Sequence, residues 1–249
     1  MNRQEISAIA HGDRPIAAPL SDESVRILLD RALRRGDEQI LDLGCGAGTW
    51  LIRALVDRPG LRAVGVDIDA SAIARAEKAA TAAGVADRVV FHAMDATDFT
   101  APHRFDLVLS VGAAHAFGGL LPTLEAADGH LAPEGGVLVG DGFWEHPPGQ
   151  ATLDAGFDAG EYDDLATTVD RITDRGWAPI YGHVSTRQEW DDYEWSWTGT
   201  LSRWALEHPE HPDGDEALRV AAEHRTDWLH GYRGTLGFLT VHLRRTRDR

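Results

Sequence analysis

The sequence predicts an α/β fold in which a mostly parallel sheet carries helices on both faces. Two observations support this prediction. Seven short apolar segments with the character of strands recur along the 249 residues, and segments with helical periodicity separate most of them. Strands that alternate with helices form parallel sheets, because each crossover helix returns the chain to the same edge of the sheet. A chain of this length is within the range of one α/β domain.

The predicted strands are short runs of aliphatic and β-branched residues. They cover residues 40–43, 61–67, 89–93, 105–110, 135–141, 177–185 and 235–243. Helices are predicted over residues 23–35, 49–57, 70–83, 120–130 and 163–174. Ser21 or Asp22 is the predicted N-cap of the first of these helices, Asp69 is the predicted N-cap of the third, and Gly84 ends that third helix.

The first strand runs directly into a glycine-rich turn. Gly44, Gly46 and Gly48 remove three β-carbons where the chain must turn and where a ligand could touch its backbone. The following helix directs its N-terminal amides at this turn. A tight turn without a ligand is the simpler alternative, but three alternating glycines exceed what such a turn requires. The segment therefore predicts a ligand site at the carboxyl end of the first strand.

The glycine spacing separates two classes of nucleotide-type ligand. A dinucleotide fold requires a third glycine three residues after the second, whereas here Gly48 follows Gly46 by two. An acid, Asp42, also lies two positions before the first glycine. This Asp-x-Gly-x-Gly-x-Gly pattern resembles motif I of the class I S-adenosylmethionine (SAM)-dependent methyltransferases. The resemblance implies a Rossmann-like sheet of seven strands whose last strand runs antiparallel.

The resemblance also implies which residues bind SAM and its product S-adenosylhomocysteine (SAH). The glycines lie under the methionine part, with Cys45 as a small residue between them, and Asp42 helps to orient the ammonium group. Asp67 follows Gly44 by 23 residues, near the spacing at which an acid reaches a ribose. The remaining implied contacts are Ile68 and Ala96 at the adenine ring, Asp95 at its amino group, and Ser110 at the end of a strand similar to motif IV. The resemblance covers residues 38–142.

The methyl acceptor is less well defined. His115 follows the fourth strand, where it could accept a proton from the acceptor or only shape the pocket. Glu145 is a second candidate base, and Phe143 and Trp144 are candidate walls of the acceptor pocket. Acids that would hold a divalent metal after the fourth and fifth strands in metal-dependent relatives are missing, because Ser110 and Gly142 occupy those places. No metal is therefore predicted.

Residues 186–234 form an insertion before the last strand that a minimal sheet does not need. Its aromatic residues recur at steps of three and four, as on one face of a helix, and a second helix is predicted over residues 215–230. The tryptophans could form the core packing of a helical hairpin on the sheet. Alternatively, the insertion is a helical lid in which Trp190 and Trp197 contact the acceptor. Together with an N-terminal helical segment, residues 1–37, it completes one predicted domain over residues 1–249.

Composition limits the partners. The formal net charge of −16 argues against nucleic acid and anionic membranes, whose phosphates require a basic surface, so a small-molecule acceptor is predicted. No apolar run approaches the roughly 20 residues of a membrane helix, and the first residues show no secretory signal. The lone Cys45 fits a reducing cytoplasm. A homodimer is left open, as are a SAM- or SAH-binding protein without transferase activity and an NAD(P)-dependent oxidoreductase.

Overall fold

The computed structural model describes residues 1–14 and 16–246, which form two compact units. The sheet unit contains Ser21–Asp141, Val169–Val184 and the residues from Leu239 onward. The helical unit contains Met1–Leu20, Gly142–Thr168 and Ser185–Phe238. The prediction of one domain over the whole chain, with residues 186–234 as a lid, stays a prediction.

The strands form one seven-stranded sheet, as predicted. They are β1 Gln39–Leu43, β2 Arg62–Asp67, β3 Val89–Ala93, β4 Phe105–Val111, β5 Leu131–Trp144, β6 Trp177–Val184 and β7 Leu236–Arg245. The strand order is β3-β2-β1-β4-β5-β7-β6. β1 pairs in parallel with both β2 and β4, whereas β6 and β7 pair antiparallel. β1 is therefore central, and its carboxyl end lies between those of β2 and β4.

Nine α-helices occur in the part of the chain that the structure describes. They are α1 Arg3–Ala10, α2 Asp22–Ala32, α3 Thr49–Asp57, α4 Ala70–Ala82, α5 Leu120–Asp128, α6 Gln150–Asp154, α7 Leu165–Asp174, α8 Arg187–Glu207 and α9 Gly214–Thr226. A 3-10 turn covers Ala114–Phe117, and a π-helix, Asp227–Tyr232, continues directly from α9. No helix within residues 1–14 and 16–246 is long and apolar enough to cross a membrane.

Local sequence signals set several of these boundaries. α3 has the predicted bounds, and the Asp69 side chain accepts a hydrogen bond from the Ser71 amide at the start of α4, as predicted. Ser21 rather than Asp22 caps α2. That helix ends three residues earlier than predicted, because Leu33 already has a non-helical conformation with φ −110° and ψ 89°. The single helix predicted over residues 215–230 is instead α9 followed by the π-helix.

Each unit has its own apolar packing. In the sheet unit the β1 residues Ile40, Leu41 and Leu43 are completely buried, as expected for a central parallel strand. In the helical unit, α8 packs on α9 and α1 through small and aliphatic side chains. This cluster consists of Ala10, Leu201, Ala205, Ala217 and Ala221. Trp197 and Trp204 of α8 pack against this cluster from outside.

Candidate functional site

The turn after β1 has the backbone conformation that only glycine adopts readily. Gly44, Gly46 and Gly48 have φ values of 86°, 52° and 72°. A Cβ on Gly44 would lie 2.4 Å from the Cβ of Ala113, and one on Gly48 would lie 2.8 Å from the Phe91 ring. A Cβ on Gly46 would meet nothing within 4 Å. The outer two glycines are therefore required by packing, and the middle one presents open backbone to a ligand.

Asp67, at the end of β2, is tied to this turn. Its Oδ2 accepts a hydrogen bond of 2.7 Å from the Gly46 amide, and its Oδ1 accepts one of 2.9 Å from the Asp69 amide. Each carboxylate oxygen has a second lone pair, so both can still accept from the hydroxyl groups of a ribose. The neighbouring Ile68 is 71% exposed, which leaves an apolar surface of the kind that an adenine ring would cover.

Asp42 is a buried acid within β1. Burial, together with the charge of Asp67, raises the pKa of Asp42 to about 8, and its side chain has no hydrogen bond to any described residue. Burial is also the main cause of a raised pKa at Cys45, so this thiol stays protonated near neutral pH and Cys45 acts as a small residue in the turn. A cationic group placed near Asp42 would favour the ionised carboxylate.

The adenine-side residues form a turn after β3. Oδ1 of Asp95 accepts from both the amide and the hydroxyl of Thr97, each at 2.8 Å, and these hydrogen bonds lower the pKa of Asp95. Ala96 is nearly buried. The Asp95 carboxylate is therefore held in one orientation by its own loop, with its second oxygen left to accept from an amino group.

Ser110 lies near the end of β4, and its contact with the cofactor stays a prediction. Its side chain has no exposed surface, and its hydroxyl donates a hydrogen bond of 3.1 Å to the carbonyl of Leu43. This bond links β4 to β1 directly below the glycine turn. Ser110 would reach a ligand only after leaving this bond, so its visible role is to hold the two strands together.

His115 lies on the 3-10 turn after β4 and is exposed. It follows Ala113, the residue that touches Gly44, by two positions. Its imidazole makes no hydrogen bond to any described residue, so nothing fixes the ring orientation. Glu145 is also exposed, and only its backbone amide is anchored, to the carbonyl of Thr235.

The two predicted aromatic walls are the last two residues of β5 and are buried within the helical unit. Phe143 packs so closely on Gly237 that a Cβ there would lie 2.3 Å from the phenyl ring. The Trp144 indole N–H donates to the carbonyl of Ala159 at 3.2 Å, and its ring meets Tyr162 edge to face. Phe143 and Trp144 therefore form part of a packed core and present little surface to an acceptor.

Trp190 and Trp197 of α8 lie in a second group of aromatic residues in the helical unit. Trp190 meets Tyr193 and Tyr232 edge to face, and its indole N–H is buried without a hydrogen-bond partner. Trp197 stacks on the imidazole of His224 with 4.0 Å between ring centroids. His224 also contacts the buried Glu194. Sequence reasoning missed Glu194, although it is a charged residue within the aromatic stripe of α8.

No group of three or more His, Cys, Asp or Glu side chains within residues 1–14 and 16–246 is arranged to hold a metal ion. The prediction that the protein acts without a metal stays a prediction. The described residues of the site offer backbone amides, carboxylates and an imidazole.

Comparison with known proteins agrees with this geometry. Residues 35–170 match a family model described as a methyltransferase domain. The chain is 30% identical over 227 residues to the uncharacterized protein YjhP of Escherichia coli K12, covering 90% of each chain. It is 31% identical over 140 residues to a 27-O-demethylrifamycin SV methyltransferase of Amycolatopsis mediterranei, covering 54% of this chain and 51% of that protein.

Among solved structures, the fold is similar to a SAM-dependent methyltransferase from Geobacter sulfurreducens in complex with SAH. The TM-score is 0.90 at 24% identity, with coverage of 97% of this chain and 98% of that one. The E. coli YjhP structure gives a TM-score of 0.88 at 24% identity, with coverage of 97% and 99%. The chain therefore belongs to the methyltransferase-domain family and is a class I SAM-dependent methyltransferase.

Proposed function

We propose that this protein transfers the methyl group of SAM to a small-molecule acceptor without the help of a metal ion. The main support for the proposal is the backbone at Gly46, because no protein atom lies within 4 Å of the position that a Cβ would take there. The Gly46 amide also donates a hydrogen bond to the Asp67 carboxylate. A single turn thus combines a flat glycine surface with an acid that can accept from two hydroxyl groups. Such a pair suits a nucleoside that carries no phosphate group better than it suits a pyrophosphate.

Different residues of the sheet unit would bind different parts of the cofactor. Asp42 would bind the ammonium group, the backbone from Gly44 to Gly48 the methionine part, and Asp67 the ribose. Ile68, Asp95 and Ala96 would hold the adenine. SAM supplies a methyl group that its sulfonium charge already activates. The protein then has to align the acceptor, exclude water and, for some acceptors, remove a proton.

Two properties of this chain support a small acceptor. Its net charge of −16 disfavours nucleic acid, and one relative is named for the methylation of 27-O-demethylrifamycin SV. On the acceptor side we propose His115, which follows the residue packed on the glycine turn, as a base or as a group that shapes the pocket. Glu145 is exposed and remains a second candidate base. The lone Cys45 further supports a cytoplasmic location.

Calorimetry tests the proposal directly. We expect SAM and SAH to bind with dissociation constants of micromolar order, roughly −8 kcal/mol, and NAD not to bind. NAD binding without SAM binding would point to an oxidoreductase. SAM binding with no methyl transfer to any member of a broad small-molecule panel would instead indicate a binding protein without transferase activity.

A further inference from the structure

A hydrogen-bonded group of three polar side chains lies inside the helical unit. Glu194 of α8 is only 2% exposed. Its Oε2 lies 2.7 Å from Nε2 of His224 on α9, and its Oε1 accepts a hydrogen bond of 2.8 Å from the hydroxyl of Tyr232. The carboxylate is thus held between two partners that come from different turns of the chain.

These contacts fix the tautomer of His224. An ionised carboxylate can only accept hydrogen bonds, and the Tyr232 hydroxyl already donates to Glu194. Nε2 of His224 must therefore carry the proton that points at Oε2. In the neutral ring this leaves Nδ1 with a free lone pair, and no described residue bonds to it. The ring is 32% exposed, so the imidazole is oriented but not enclosed.

Aromatic rings surround this polar group. Trp197 stacks on His224 at an interplanar angle of 21°, and Tyr232 meets His224 edge to face with 6.5 Å between ring centroids. Trp190 continues the row from Tyr232 to Tyr193, and His11 lies beyond Tyr193 at 5.8 Å. Burial, with a smaller contribution from His224, lowers the pKa of His11 to about 4, so His11 is neutral near pH 7.

Stability alone does not account for this arrangement. Withdrawing a carboxylate from water costs several kcal/mol even when it is paired, and an apolar replacement of similar size is often as stable or more so. Glu194 is nevertheless buried, and it lies among the aromatic residues of α8. A carboxylate that orients an imidazole, whose other nitrogen is unprotonated, is the arrangement that activates hydroxyl groups in many enzymes.

We propose that Glu194, His224 and Tyr232 form a binding site for the hydroxyl group of a planar apolar molecule such as a phenol, with Nδ1 of His224 as its proton acceptor. His224 would contact the hydroxyl group, and Glu194 and Tyr232 are positioning residues that orient its imidazole. Trp197 and Trp190 supply the flat apolar surfaces that such a molecule would contact.

The proton balance is simple. The hydroxyl O–H bond breaks as its proton passes to Nδ1, and the oxygen keeps the electron pair. The imidazolium that forms is balanced by the Glu194 carboxylate across the 2.7 Å contact. His224 afterwards returns its proton to solvent.

The test uses the full chain and the chromogenic probe para-nitrophenol, whose phenolate form absorbs visible light. We expect the probe to quench tryptophan fluorescence on binding and to be held as phenolate at a pH below the pKa of the free phenol. His224→Gln should weaken binding roughly 10- to 100-fold, the value of a hydrogen bond to a charged group, and should abolish the phenolate absorbance. Glu194→Gln should reduce the phenolate fraction.

His230→Gln is the matched control, because His230 is an exposed histidine on the adjacent π-helix, and it should leave both signals unchanged. Imidazole nitrogen NMR on the unaltered protein should show the Nε2–H tautomer of His224. Binding of benzylammonium without binding of para-nitrophenol would overturn the proposal in favour of a cation site. If neither probe binds, the three side chains only pack the interior of the helical unit and the proposal is wrong. SAH calorimetry on the same samples tests the proposed function separately.

Discussion

Gly44 and Ala113 are in direct contact: a Cβ on Gly44 would lie 2.4 Å from that of Ala113. The first residue lies in the turn after β1 and the second in the loop after β4. The contact therefore locks the glycine turn against the segment that carries His115. Because β1 and β4 are neighbouring parallel strands, both loops lie at the carboxyl edge of the sheet, where ligands of open α/β sheets bind.

The Gly46→Ala substitution should weaken SAH binding at least about tenfold. It should lower the free energy of unfolding only slightly. Its φ of 52° makes alanine unfavourable by about 1 kcal/mol, but a Cβ would clash with no protein atom. Gly84→Ala is a matched control, since Gly84 has a φ of 69° and equally open surroundings. Calorimetry and urea denaturation separate the two effects. Equal SAH affinity in both variants would show that the ligand does not cover Gly46.

Asp67→Asn should lower both stability and SAH affinity. One carboxylate oxygen becomes an NH₂ group, which then faces the amide of either Gly46 or Asp69, and a ribose hydroxyl loses an ionised acceptor. We expect about 1.5–3 kcal/mol of lost binding energy, measured by calorimetry. Asp87→Asn, at an exposed position in a 3-10 turn, should change neither quantity. If Asp67→Asn binds SAH with unchanged affinity, Asp67 does not bind the ribose.

Asp42 should make stability depend on pH. Its pKa is raised from 3.8 to about 8 in the folded protein, so between these values the folded state binds more protons than the unfolded state. Its contribution to the unfolding free energy is therefore present in full below about pH 4 and is lost as pH rises towards 8.

The variant Asp42→Asn should escape this loss. Its advantage over the unaltered protein should grow from pH 4 to 8, by less than about 1.4 kcal/mol per pH unit, and then stay constant. Urea denaturation at a series of pH values measures this. A constant difference across that range would show that Asp42 ionises normally. The same variant should bind SAM more weakly if Asp42 orients the ammonium group.

His115→Ala should raise the KM for the acceptor and leave SAH affinity unchanged, because no described residue orients this imidazole for proton transfer. A loss of kcat of roughly 100-fold or more in His115→Ala, the usual scale of general base catalysis, would show instead that His115 is the base.

Hydrogen exchange tests the lid that the sequence predicts over residues 186–234. If the segment closes on a bound ligand, SAH together with an acceptor should slow exchange of its amides and change tryptophan fluorescence. Protection that is confined to residues 40–120 would contradict the lid and leave the segment with a packing role.

Local chemistry explains what could be predicted at the cofactor side. The bounds of α3, the cap at Asp69 and the turn at Gly44–Gly48 follow from residue types that have few alternatives at such positions. The position of Asp67 follows as well, because a strand of fixed length after a crossover helix leads back to the same edge. These features depend on neighbours within a few residues or on one short crossover.

The sequence by itself thus determined the order of the strands along the chain, the glycine turn and the acids that accompany it. Only the tertiary structure decided that Ser110, Phe143 and Trp144 are buried, because burial depends on which segments pack on them. It also brought together Glu194 and His224, which are 30 residues apart. No spacing rule specifies such a pair: it exists because α8 packs against α9, and the identity of the facing positions follows from that packing.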